Sequence, residues 1–153
     1  MKKRVLVAGI IAALIVLDQL VKAYVVQNIA LGEIKSWIPN LVSLTYLQNR
    51  GAAFSMLQDQ QWFFAVITLV VMVGAIWYLH KHIEDSLLTV FGLVLIIAGG
   101  LGNFIDRISQ GFVVDMFHLD FINFAIFNVA DSYLTVGVVV LLIAMLKEEM
   151  NGN

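Results

Sequence analysis

The sequence predicts an all-α membrane protein with four transmembrane helices, a small extracytoplasmic β-sheet cradle and both termini in the cytoplasm. Three observations lead there. Hydrophobic residues make up 61% of the 153-residue chain and charged residues 13%, against about 45–50% and 25% in soluble domains. So few polar side chains cannot cover the large surface of a small protein in water. Four apolar stretches, at 5–26, 62–79, 87–105 and 129–146, approach the roughly 20 residues that cross a bilayer. Finally, Lys2, Lys3, Arg4, Lys81 and Lys147 gather at one set of helix ends, with only Lys35, Arg50 and Arg107 at the other, which turns the first set toward the cytoplasm.

The first stretch follows Lys2, Lys3 and Arg4 as a signal peptide would. It then runs into Asp18, Gln19 and Lys22 without a small-residue cleavage site, so it is expected to remain as an uncleaved signal anchor. A short link at 80–86 joins the second and third stretches on the cytoplasmic side. The outer segments, 27–61 and 106–128, are longer, and the chemistry is expected there. In the first of them, LVSLTYLQ at 41–48 favours strand, and Asn49, Arg50 and Gly51 supply a turn that tolerates positive φ. A short sheet lying on the membrane surface follows. Ala98 and Gly102, four apart, suit close helix packing, and GGLGN at 99–103 lacks the GxGxxG spacing of a nucleotide loop. The whole chain, 1–153, reads as one integral membrane domain.

Composition removes several function classes. Nine Lys and Arg against 11 Asp and Glu give a net charge of -2, and no basic stripe exists to follow a phosphate backbone, so nucleic acid is not an expected partner. The absence of cysteine excludes disulfides, thiolate metal sites, a cysteine nucleophile and cysteine-linked lipid.

Ionisable groups inside membrane segments are costly and ask for a functional reading. At about 1.5 Å per residue, Asp18, Asn103 and Asp131 all reach the outer third of a core ~30 Å thick, with Lys22, Asp106 and Arg107 slightly higher. Asn49, Asp115 and Asn128 come down from the outer segments, which makes one polar cluster from every segment but the second helix. Asp18 and Lys22, four apart on one helix, form either a structural ion pair or part of a site. Arg107 shares a helix face with Asn103 and either anchors at the headgroups or holds a carboxylate or backbone carbonyl. Asp115 and Asp131 differ, because each is an acid among apolar neighbours with no adjacent base. Asp131 or Asn128 also suits a helix cap. Two carboxylates close together in a low-dielectric pocket share a proton, which supplies an acid and a base at neutral pH. Such a pair can activate water against a peptide carbonyl without a metal or a nucleophilic side chain. Rival sets are weaker: Ser132 with His118 lacks a GxSxG elbow, and Asp115, His118 and Asp120 lack HExxH spacing, so no metal is expected.

Five stretches, DQLVK at 18–22, NRGAAFS at 49–55, GNFIDR at 102–107, FVVD at 112–115 and FNVADS at 127–132, together resemble the bacterial lipoprotein signal peptidase family, also called signal peptidase II. The resemblance covers nearly the whole chain in order. It implies an intramembrane aspartic endopeptidase of the bacterial cytoplasmic membrane, multi-pass, with its active site at the outer leaflet. It further implies removal of signal peptides from prolipoproteins by cleavage just before a diacylglyceryl-modified cysteine. By motif the catalytic dyad falls on Asp115 and Asp131. Asn49, Asn103, Arg107 and Asn128 match positions that line or order the site, and Asp18 and Lys22 match the first-helix polar pair. Nothing is carried onto 116–126. The expected partners are lipidated prolipoproteins and membrane lipid, with no cofactor and a monomeric enzyme. The alternatives are a small transporter, which would carry its charges along a path to both faces, and a structural subunit, which leaves two unpaired acids unexplained.

Overall fold

The computed structural model describes residues 2–51 and 60–151; positions 52–55 of the NRGAAFS stretch lie outside them. In chain order come α1 (Lys2–Asn28), β1 (Ile34–Ile38), β2 (Val42–Asn49), α2 (Gln61–Lys81), α3 (Leu87–Gln110), β3 (Val113–Leu119) and α4 (Val129–Asn151). All four helices are long and apolar enough to cross a membrane. The burial of their apolar windows ranks them: 67% for α3 against 17% for each of the others. Helix α3 is therefore the central post, and the other three turn large side chains such as Leu20, Val70 and Leu142 outward, as helices dissolved in lipid do.

Glycine sets the closest approaches to this post. A Cβ on Gly102 would sit 2.6 Å from Asp18 Oδ2, and one on Gly99 would overlap the carbonyl oxygen of Ala130 and stand 2.9 Å from Leu134 Cγ. The small-residue face around Ala98 is thus a packing surface toward α1 and α4, as its spacing predicts. At one end of the bundle Lys3 pairs with Glu84 at 3.3 Å and Thr89 donates to Glu148 at 2.9 Å. The start of α1, the α2–α3 link and the end of α4 consequently share that end.

At the other end, β1, β2 and β3 form one antiparallel sheet in that order. Residues 41–48 do form a strand, shifted by one to Val42–Asn49. Strands β1 and β3 were not anticipated, and α3 runs on to Gln110 instead of stopping at Ile105. Asp106 and Arg107 are accordingly helical, and Gly111 ends the helix in the left-handed region, φ 76, with its N–H donated to Arg107 O at 3.2 Å. The anticipated positive φ is not at 49–51: among the described residues it falls at Gly32, Asn40 and Gly111. Gly51 N–H instead donates to Asn49 Oδ1 at 2.9 Å, an Asx turn that satisfies the backbone without a left-handed residue.

The sheet is locked to the bundle by a buried cluster of Val25 from α1, Ile29 just beyond its end, Tyr46 from β2, and Val114 and Met116 from β3. Pairing of Leu44 with Phe117 and Leu47 with Asp115 places one extra residue on β2, a bulge of the kind that re-aims side chains beside a site. An antiparallel bridge between Phe117 and Phe127 then folds 120–128 back along β3. That fold-back brings the start of α4 beside Asp115.

Candidate active site

Asp115 lies mid-strand in β3, yet it is only 1% exposed. Its oxygens are each met by an amide: Asn49 Nδ2 donates to Oδ2 at 2.9 Å and Asn128 Nδ2 donates to Oδ1 at 2.7 Å. Asp131 stands in the first turn of α4, where Asn128 and Asp131 cap the helix reciprocally. The Asp131 N–H donates to Asn128 Oδ1 at 2.9 Å, and the Asn128 N–H donates to Asp131 Oδ2 at 3.1 Å. Asp131 Oδ1 accepts from Asn103 Nδ2 at 2.7 Å. The cap reading of Asp131 holds, and it does not conflict with a site reading, because capping uses one carboxylate oxygen and leaves the other to Asn103.

Three asparagines therefore surround the two acids, and each is oriented from behind by a group that can only donate. Gly51 N–H faces Asn49 Oδ1, Asp131 N–H faces Asn128 Oδ1, and the Lys22 ammonium faces Asn103 Oδ1 at 3.0 Å. With each carbonyl oxygen held, the NH₂ groups point at the carboxylates.

Burial is the main force on Asp115, with the neighbouring Asp131 charge second. Together they push its carboxyl from the ordinary 3.8 to about 7, against hydrogen bonds from Asn49 and Asn128 and the Lys22 charge, all of which favour the ionised form. Asp115 thus keeps its proton through the acidic range and gives it up as pH rises through about 7.

A cavity of about 580 Å³ opens onto both acids. Asn49, Asn103, Arg107, Asp115 and Asp131 line its polar part, and Leu119, Phe124, Ile126, Phe127, Leu134 and Val136 its apolar wall. Part of that wall belongs to 116–126, from which no site residue was anticipated; the aromatic run FINFAIF is the signal for it. Arg107 donates to Asn103 O at 3.4 Å and lies over the Phe64 ring at 5.6 Å. It therefore reaches a backbone carbonyl of its own helix, and α2 contributes a ring to the cluster although no polar group was expected from it. Asp18 and Lys22 are ion-paired at 2.9 Å and buried, and Lys22 pairs equally with Asp106 at 2.9 Å. Asp106 and Gln19 join this network; the sequence placed Asp106 at the depth of the cluster without giving it a role, and its spacing three residues after Asn103 was the available signal.

The rival sets come apart. Ser132 Oγ donates to the Asn128 carbonyl at 3.0 Å. His118 pairs with Asp120 at 3.1 Å, and Asp120 also accepts from Ser43. Ser132 and His118 are thus engaged separately, and Asp115 does not face the His118–Asp120 pair.

Four bilayer-length helices and two carboxylates at the head of an apolar-walled cavity define a polytopic membrane protein with the groups for acid–base hydrolysis. Residues 10–147 match the family signal peptidase (SPase) II. The lipoprotein signal peptidase of Streptococcus pneumoniae (strain ATCC BAA-255 / R6) is 81% identical over 153 residues, all of both chains. That of Streptococcus pyogenes serotype M1 is 61% identical over 153 residues, again all of both. A bacterial membrane enzyme solved by the in meso method at 2.3 Å superposes with a TM-score of 0.87 at 33% identity, covering 96% of this chain and 91% of that one. The chain belongs to the signal peptidase II family.

Proposed function

We propose that Asp115 and Asp131 are the catalytic dyad of an aspartic endopeptidase. As a signal peptidase II, the chain removes signal peptides from prolipoproteins in lipoprotein maturation, and the transporter and structural-subunit alternatives are set aside by that membership. The observation that carries the dyad is the convergence of both acids on Asn128, one through its side chain and the other through its backbone and capping contacts. In the reaction the ionised carboxylate takes a proton from water as its oxygen attacks the scissile carbonyl carbon. The protonated partner polarises the carbonyl oxygen, and a proton then passes to the leaving nitrogen as the C–N bond breaks. The apolar wall receives the signal peptide, Asn49, Asn103 and Asn128 hold the acids, and Arg107 and the Asp18–Lys22 pair order the site. No metal or cofactor enters this scheme, and one chain contains every group it uses, in keeping with a monomer.

Removing Asn49 deprives ionised Asp115 of a donor, so its carboxyl should titrate higher still. The alkaline fall of kcat/KM should then move to higher pH in Asn49→Ala; a limb that stays put or moves down would remove Asn49 from this role.

The charge bias puts both termini and Lys81 in the cytoplasm and the sheet, with the active site, at the outer leaflet. Protease added to intact spheroplasts should leave the 80–86 link uncut. Cleavage there from outside would invert the protein.

The family resemblance implies a diacylglyceryl-modified substrate, and depth supports it. The dyad meets only a peptide bond held at its own level, and two acyl chains on the cysteine after that bond anchor it there at about 0.8 kcal/mol for each buried CH₂. A diacylglyceryl-modified prolipoprotein should therefore be cut just before that cysteine, while the unmodified precursor, free to shift in depth, should rarely reach a near-attack geometry. Incubating both forms with equal enzyme checks this, and similar rates would show that the signal peptide alone sets the register.

A further inference from the structure

Lys22 is 3% exposed, and its ammonium group meets three acceptors: Asp18 Oδ2 at 2.9 Å, Asp106 Oδ2 at 2.9 Å and Asn103 Oδ1 at 3.0 Å. An ammonium has three donors, so none is left over. The two carboxylates reach onward in a matching way. Asp18 Oδ1 accepts the backbone N–H of Ala130 at 3.0 Å, and Asp106 Oδ2 accepts that of Val114 at 3.1 Å. Ala130 immediately precedes Asp131, and Val114 immediately precedes Asp115. One buried cation is thus tied, through one carboxylate each, to the backbone beside both dyad members. A third arm runs from Lys22 through Asn103 to Asp131 Oδ1.

We propose that Asp18, Lys22 and Asp106 are positioning residues that together set the separation of the two dyad carboxylates, by fixing β3 and the start of α4 to a single ammonium. The inference rests on Asp115 and Asp131 being the reacting pair. Stability alone does not explain the arrangement. Lys22 and Asp18 already form a buried ion pair, and a second buried carboxylate adds a desolvation cost that an apolar residue of similar volume would avoid. Gln19 offsets part of that cost by donating to Asp106 Oδ1 at 2.9 Å and Asp18 Oδ2 at 3.2 Å, which also holds the two acids side by side. Gly102 completes the fit, since any Cβ there would displace Asp18. The device sits on α1 and α3, whereas the dyad sits on β3 and α4, so loss of one arm frees one acid relative to the other.

Asp106→Ala and Asp18→Asn test the two arms separately: Asp106 holds Lys22 and the Val114 N–H with one oxygen, which an amide would keep, whereas Asp18 uses one oxygen for each contact, and each variant leaves Lys22 paired with the remaining carboxylate. The charges that face the dyad, Lys22 from α1 and Arg107 from α3, stay in both. On a lipidated prolipoprotein each variant should lose on the order of 10- to 100-fold in kcat per folded enzyme, the scale of a misplacement near 1 Å, with KM changed by less than about threefold. The alkaline limb should move to lower pH, since the acids repel each other less when they move apart. If Asp106→Ala does not accumulate, Asp18→Asn reads the same device from its other arm. Parental kcat and an unmoved limb would overturn the proposal. So would an activity loss that merely tracks the unfolded fraction, because the position of the limb does not depend on how much enzyme is folded. Turnover by Asp115→Asn or Asp131→Asn in the same assay would instead sink the dyad, and this inference with it.

Discussion

Asp115→Asn and Asp131→Asn should each lower turnover of a lipidated prolipoprotein by at least about 10³-fold, since an amide neither takes a proton from water nor gives one to the leaving nitrogen. The loss should not come from unfolding. Asp115 ionises near 3.8 when unconstrained and near 7 in the fold, so the native state holds more protons than the unfolded one between these values. Its contribution to stability therefore declines as pH rises across that window and stays low above it. A neutral amide removes this penalty but sets its NH₂ against one of the two fixed donors, Asn49 or Asn128, so the two effects oppose each other and Asp115→Asn should still unfold cooperatively from a folded state at pH 7. Asp131→Asn keeps one oxygen for the Asn128 N–H of the capping box but turns its NH₂ toward Asn103 Nδ2, so a modest loss of stability, far short of unfolding, is expected there. Thermal unfolding in detergent beside the cleavage assay separates lost chemistry from lost fold, and a folded single variant that keeps a tenth of the parental rate would take that residue out of the dyad.

Gly99→Ala should be nearly as damaging by a different route. The new Cβ meets the backbone oxygen of Ala130 and Cγ of Leu134, and a backbone atom cannot swing aside as a flexible side-chain tip can. Helices α3 and α4 must then separate at Ala130, the residue next to Asp131. Overpacking of this kind costs about 1–3 kcal/mol, and the opened contact also removes Asn103 from hydrogen-bonding distance of Asp131. Both the unfolding temperature and the residual activity should fall. Gly9 and Gly74 are the controls, because a Cβ at either meets nothing within 4 Å. Alanine there should be neutral, or stabilising by up to about 1 kcal/mol through helix propensity. Equal loss at Gly9 and Gly99 would dismiss the close approach as the cause.

What the sequence disclosed follows from the range over which each feature is encoded. The helices were legible because a bilayer demands a long apolar run, and such runs need no knowledge of neighbours. The end of α3 was misplaced because Asp106 and Arg107 look like the edge of a loop, although Lys22 of α1 and Phe64 of α2 receive them. Strand β1, IKSWI, is exposed along its whole length and has no buried face to leave a pattern, while β3 is buried on both faces through 113–116 and shows no alternation. Asp115 and Asp131 stood out as acids with no local partner, which is a property of the sequence itself. The role of Asp106 did not, since its partners Lys22, Gln19 and Val114 come from elements brought to it only by the fold. Asn49, Asn103 and Asn128 were placed in the polar cluster by their depth and given site roles by the family resemblance, and the donors that orient them could only be found in three dimensions.

The central claim is that Asp115 and Asp131 act as one proton-sharing unit, and single-turnover cleavage by Asp115→Asn, Asp131→Asn and the double variant tests it most directly. Groups that act as a unit lose their joint contribution once, so the double variant should cleave a lipidated prolipoprotein no more than a few-fold slower than either single one. Losses that multiply across the two single variants would mean that each acid contributes independently, and would contradict the shared-proton mechanism.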